Sequence, residues 1–254
     1  MQVIPVLDLL DGHAVRAVRG ERARYRPIQS SLCATSEPLA VAQALLAVTG
    51  ACTLYVADLA AILDRGDHAE QLAALLDGLQ HTCPDFEIWL DAGYVDFPSM
   101  RTLFSRIEAF RHAGAMPHTS HTPRATLVPV FGTETLRDWR ALREADAAGF
   151  APVLSLDHRA GRQLSDPAAS AQDTSWWPSR VIVMTLDQVG SYEGPDLDTL
   201  AAVHARAGDR TLIGAGGIRH AGDLSAAAHS GATAWLVASA LHDERLDALR
   251  LGKT

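Results

Sequence analysis

This chain of 254 residues contains a single lysine, Lys253. Enzymes that work through an imine need a lysine amine on the element that holds the substrate. A lone lysine beyond the last apolar run supplies none, so Schiff-base aldol chemistry is excluded. Cysteine is nearly as scarce: Cys33, Cys52 and Cys83 are odd in number and lack any CxxC spacing, which reads as buried or inert thiols rather than disulfides or zinc ligands. No apolar run reaches 18 residues and no signal-type N-terminus is visible, so a cytoplasmic protein with no membrane partner is expected. Positive charge is also short, with 22 Lys and Arg against 30 Asp and Glu and a net charge of −8, which argues against general nucleic-acid binding.

The chain does have an internal repeat. The run Ile4-Pro5-Val6-Leu7-Asp8, followed by Gly12, returns as Pro152-Val153-Leu154-Ser155-Leu156-Asp157, followed by Gly161. A short apolar run of this kind reads as a buried parallel strand, which puts each Asp at a carboxyl end, where α/β folds carry their chemistry. Thr53–Asp58 pairs with Val181–Thr185 in the same way, Glu87–Gly93 with Thr211–Gly216, and Leu127–Thr133 with Ala234–Ser239. The stretches 37–47, 69–79, 136–147, 197–205 and 222–229 are rich in Ala and Leu and read as helices. Eight strands alternating with helices predict an α/β fold: one (β/α)₈ TIM-barrel domain over 1–254, built of half-barrels 1–147 and 148–254. The polar loop from His118 to Pro123 has no counterpart in the other half.

The segments VIPVLDLLDGHAVRAVRG, SLDHRAGR, VGSYEGPDL and IGAGGIR resemble the histidine-biosynthesis barrels, the ProFAR isomerase and the imidazole glycerol phosphate synthase cyclase subunit. Tyr25-Arg26-Pro27-Ile28, the run from Ala57 to Ile62 with Arg65-Gly66-Asp67, the run from Gly132 to Leu136 and the run from Asp187 to Ser191 are closer to a HisA/HisF-related branch. That branch belongs to methanogens and to methylotrophs with methanopterin-type cofactors. The resemblance implies acid/base isomerisation of a phosphorylated aminosugar or cofactor precursor, with Asp8 as base and Asp157 as acid, a pair that pseudo-twofold symmetry makes easy to invert. A cyclase or lyase using the same two residues, or a silent phosphate-binding barrel, are the alternatives. No cofactor or metal is called for, and a homodimer is compatible with the chain; Trp176-Trp177 is read as packing or a subunit contact.

Two opposed carboxylates suit such a rearrangement, because one can protonate a ring oxygen while the other takes a proton from the adjacent carbon. Thr185 is the expected inward polar group on the sixth strand. For phosphate, Gly216-Gly217 after the seventh strand and Ala238-Ser239 after the eighth expose backbone N–H groups to an anion. Gly132-Thr133 and Gly93 are their expected equivalents in the first half, and Asp58 is grouped with the substrate-binding residues, although ordering a loop is its more ordinary use. The isomerases carry glycines and an arginine after the third strand, where this chain reads Asp91-Ala92-Gly93-Tyr94-Val95-Asp96. An Asp beside a phosphate costs binding through like-charge repulsion. Either that end takes an uncharged group or Asp91 points elsewhere, and a substrate with two phosphates is disfavoured.

Overall fold

The computed structural model describes residues 1–114, 125–164 and 173–246. Each apolar run forms a strand: β1 (Gln2–Leu10), β2 (Thr53–Asp58), β3 (Glu87–Asp91), β4 (Thr126–Gly132), β5 (Val153–Arg159), β6 (Arg180–Thr185), β7 (Thr211–Ala215) and β8 (Ala234–Val237). Consecutive strands pair in parallel, and β8 returns to β1 with Gln2 opposite Ala234, which closes the barrel. Single-residue alternation then decides which side chains face inward. Ile4, Tyr55, Trp89, Val130, Ile182 and Ile213 fill the barrel interior. Their neighbours Leu7, Leu54, Leu90, Leu154, Val181 and Leu212 pack outward under the helices. Burying both faces of every strand is why the runs are continuously apolar.

The helices are α1 (Pro38–Thr49), α2 (Leu59–Ile62), α3 (Ala69–Leu79), α4 (Phe97–Gly114), α5 (Arg140–Ala147), α6 (Leu197–Ala207), α7 (Ala221–His229) and α8 (Ser239–His242). The boundaries of α1 follow from its ends. The Glu37 carboxylate accepts from the N–H groups of Leu39 and Ala40, Pro38 opens the helix, and Gly50 at φ 63° closes it. Helix α5 starts four residues later than the apolar pattern predicts. Residues 136–138 are spent on the loop instead, Leu136 donating to the Gly132 carbonyl and Arg137 and Asp138 to that of Val95. The described residues between β5 and β6 hold no helix, and the His118–Pro123 loop and Lys253 lie outside the described residues.

The reading of the cysteines as unpaired thiols is corrected for two of them. Cys52 and Cys83 form a disulfide, with Cα atoms 5.9 Å apart, and only Cys33 is free. Cys52 immediately precedes β2 and Cys83 lies just before β3, so the pairing of these neighbouring strands brings their entry ends together, where spacing along the chain carries no signal. Trp176 and Trp177 are buried, their rings 6.4 Å apart, with Trp139 packed against Trp176. No described helix is long and apolar enough to cross a membrane.

Candidate active site

The inward-facing row becomes polar where the strands reach the barrel mouth. Asp8, Asp91 and Asp157 project from β1, β3 and β5 into one solvent-open cavity with an empty volume of about 1060 Å³. The glycines at 216 and 217, Ala238, Ser239 and Gly132 line the same cavity. The two aspartates of the repeat therefore face one space, and the loops after β7 and β8 open onto it.

The three carboxylates are held differently. Asp157 is 5% exposed and fixed on both oxygens: Ser155 Oγ donates to Oδ1 at 2.7 Å and the Glu134 N–H to Oδ2 at 3.0 Å. Its own N–H donates to Thr133 Oγ1 at 2.9 Å. Asp91 accepts from the Tyr55 hydroxyl at 3.0 Å and from the Gly93 N–H at 3.1 Å. The carboxylate of Asp8 takes no hydrogen bond from any described residue. Burial, reinforced by repulsion from Asp91, raises the carboxyls of Asp8 and Asp157 to about 7. Burial likewise lifts Asp91 to about 6. Arg22, the cation at this end, moderates Asp8 and Asp91 and forms an ion pair with Glu134 across the mouth.

Four of the expected site residues do not line the cavity. Thr185 occupies an outward position on β6 and its hydroxyl lies 3.2 Å from an Asp196 oxygen. The inward residue is Met184, so the expected polar position is displaced by one residue, and a shift of one reverses the face. Thr133 holds the backbone of Asp157. Gly93 turns at φ 66°, and a side chain there would meet Ile62. Asp58 is fully buried, capping α2 through the Ala61 N–H and holding both the backbone and the ring of His68. Nε2 of His68 accepts from the Gly12 N–H at 3.0 Å, so Asp58 orders the loops after β1 and β2. Gly132 does line the cavity, but for Asp157: a methyl group there would come within 2.9 Å of Oδ2.

The two halves thus differ in what their loop N–H groups do. In the first half, those of Gly93 and Glu134 are claimed by Asp91 and Asp157. In the second half, no described acceptor takes the N–H groups of Gly216, Gly217 or Ala238. Gly217 sits at φ 82°, where a Cβ would come within 2.0 Å of the Gly194 carbonyl oxygen, so only glycine fits this loop. Arg219 closes on Asp223 through three hydrogen bonds of 2.8–3.0 Å and stays out of the cavity. Arg22, Tyr25, Glu134 and Tyr192 also line the cavity. They come from loops whose placement no periodicity reveals. Among the described residues no group of three or more metal-ligating side chains comes together.

Comparison with known proteins finds relatives along nearly the whole chain. The chain is 28% identical over 248 residues to an uncharacterized protein of Methanocaldococcus jannaschii, covering 97% of this chain and 96% of the relative. A protein of Cenarchaeum symbiosum is 27% identical over 258 residues, covering 97% of both chains. One of Salinispora arenicola is 28% identical over 240 residues, covering 90% of this chain and 86% of the relative. Both of the latter carry the name 1-(5-phosphoribosyl)-5-((5-phosphoribosylamino)methylideneamino)imidazole-4-carboxamide isomerase. The model of the family described as histidine biosynthesis protein matches residues 2–108 and 130–247, most of the described barrel, and the chain belongs to that family.

Proposed function

We propose that this barrel is an acid/base isomerase acting on a phosphorylated small molecule, with Asp8 and Asp157 exchanging protons across the cavity. The observation that carries this reading is the pair itself. Two carboxyls at equivalent ends of repeated halves line one cavity, and both are pushed to about 7. In an aldose-to-ketose rearrangement of an aminosugar, the protonated partner gives its proton to the ring oxygen as the C1–O bond breaks. The ionised partner then removes the proton on C2, and the enaminol collapses to the ketose. With both carboxyls near neutrality, one can be protonated while the other is ionised. By resemblance Asp8 is the base and Asp157 the acid. The isomerase names of the two relatives support the reaction class.

The unclaimed N–H groups at Gly216, Gly217 and Ala238, with the Ser239 hydroxyl, suit a phosphate monoester. The first-half end offers carboxylates instead, which favours a substrate with one phosphate over the two phosphoribosyl groups in the relatives' name. A biosynthetic precursor of a one-carbon cofactor fits that description as well as an aminosugar phosphate does.

Asp8→Asn and Asp157→Asn each remove a transferable proton while keeping size. Each variant is expected to lower turnover of the true substrate by about a hundredfold or more, and the wild type should give a bell-shaped pH profile centred near neutrality. Unchanged turnover in both variants would show that the two carboxyls do not carry the chemistry, and binding without turnover by the wild type would favour a silent barrel, a reading for which the apolar Met184 at the inward β6 position is the one structural argument.

A further inference from the structure

We propose that the end of the ligand opposite the phosphate carries a cationic nitrogen, an ammonium group seated among Asp8, Asp91 and the phenol of Tyr25. The proposal rests on reading the loops after β7 and β8 as the phosphate end. Four carboxylates line the cavity, those of Asp8, Asp91, Asp157 and Glu134, against one cation, Arg22, already paired with Glu134. That leaves three carboxyls without an ion pair of their own among the described residues, Asp8 and Asp91 feeling Arg22 only at longer range. The loop N–H groups that could serve an anion at this end are already taken, Gly93 by Asp91 and Glu134 by Asp157.

Tyr25 points to a ligand independently. It is 7% exposed and lines the cavity beside Asp8, and its hydroxyl makes no hydrogen bond to a described residue. The ring is buried while the hydroxyl itself reaches the cavity, where a ligand can meet it. The Asp8 charge acts on this phenol, and the two unpaired groups line the same cavity, a carboxylate acceptor and a hydroxyl that can accept or donate. An ammonium supplies three donors and a full positive charge. It would satisfy both groups and lower the carboxyls of Asp8 and Asp91 toward ordinary values, so that protons leave the protein as it binds. A hydroxyl could hydrogen-bond both groups but would bring no charge to lower the carboxyls, and a second phosphate would raise them.

The test is calorimetric titration of the full chain near pH 7 with a length series of ω-aminoalkyl monophosphates and their ω-hydroxyalkyl twins, alongside inorganic phosphate and pentylamine. At the best length, the amine is expected to bind at least about tenfold more tightly than its hydroxyl twin and to release protons to the buffer. Asp91→Asn, which keeps an acceptor for Tyr55, should erase that advantage while phosphate affinity holds. Tyr25→Phe should reduce the advantage severalfold. No advantage at any length, an advantage that survives in Asp91→Asn, or no binding by any compound would overturn the proposal. Failure of inorganic phosphate alone to bind would instead sink the phosphate end, and Asp91-dependent binding of pentylamine would show that the acidic end stands without it.

Discussion

Asp8 faces the cavity with no donor to soften its charge, and this has a consequence for stability. An unfolded chain ionises this carboxyl near 3.8, whereas the folded protein holds the proton until about 7. Between those values the native state binds more protons than the unfolded state, so this group's contribution to stability falls as pH rises through the window. Asp8→Asn is therefore expected to stabilise the fold at pH 8 by roughly 2–4 kcal/mol and to have little effect below pH 4, as read by urea denaturation at the two pH values. Tyr94 is a second case of an unmet polar group. Its hydroxyl is buried without a partner, with the rings of Phe104 and Phe131 at 6.1 and 5.5 Å. Tyr94→Phe should be neutral or stabilising by about 1 kcal/mol, visible as a rise in Tm. At this scale Asp8 and Asp157 were legible in the sequence because a repeat marked them, and Asp91 because an acid stood where glycine was expected. Thr185 was misread because a strand's facing depends on knowing its register to the residue. Tyr25 and Glu134 stand in stretches that resemble the HisA/HisF-related branch, but nothing in their spacing shows that they face the cavity, since loop residues acquire their position only from the closed barrel.

The strands were the most legible elements, their runs matching the observed spans to within a few residues. What the sequence concealed is how β1 and β5 continue past the mouth. Each turns back as a hairpin, Leu10 pairing with His13 and Arg159 with Arg162. Asp11-Gly12 at φ 50° and 80° and Ala160-Gly161 at φ 50° and 70° are the tight turns, so the repeated glycine is a hairpin residue. The loop after β6 docks against the first hairpin's continuation. Arg19 donates to the Val189 carbonyl at 2.7 Å, Arg19 also pairs with Glu193, and Gly190 lies so near the backbone that a Cβ would come within 2.2 Å of the Ala17 oxygen. Gly190 has φ 64°. Gly190→Ala should cost about 1–3 kcal/mol through backbone strain and close contact. Hydrogen exchange should localise the loss to residues 186–195 and 16–20, with the barrel strands still protected; uniform loss of protection would mean that this contact supports the whole barrel.

At the scale of the whole molecule, the fold follows from eight buried runs and their spacing, and the family model covers nearly all of it. Substrate is where whole-chain similarity stops informing, because a few residues at the mouth decide what binds there. By the resemblance, Asp91 puts a charge where the isomerases carry glycine, at the end we propose takes no phosphate. The chain should accordingly rescue a histidine auxotroph lacking the isomerase poorly at normal expression; vigorous growth would mean that the acidic end still admits that substrate. The claimed N–H groups of the first-half loops, one of them taken by Asp157 of the second half, also mean that the two halves are no longer interchangeable parts. A chimaera assembled from two copies of residues 148–254 would lack Asp91 altogether, and one assembled from two copies of residues 1–147 would lack Asp157, the acceptor of the Glu134 N–H. Duplication gave the barrel a mirror, and the claimed N–H groups of Gly93 and Glu134 gave it a left and a right.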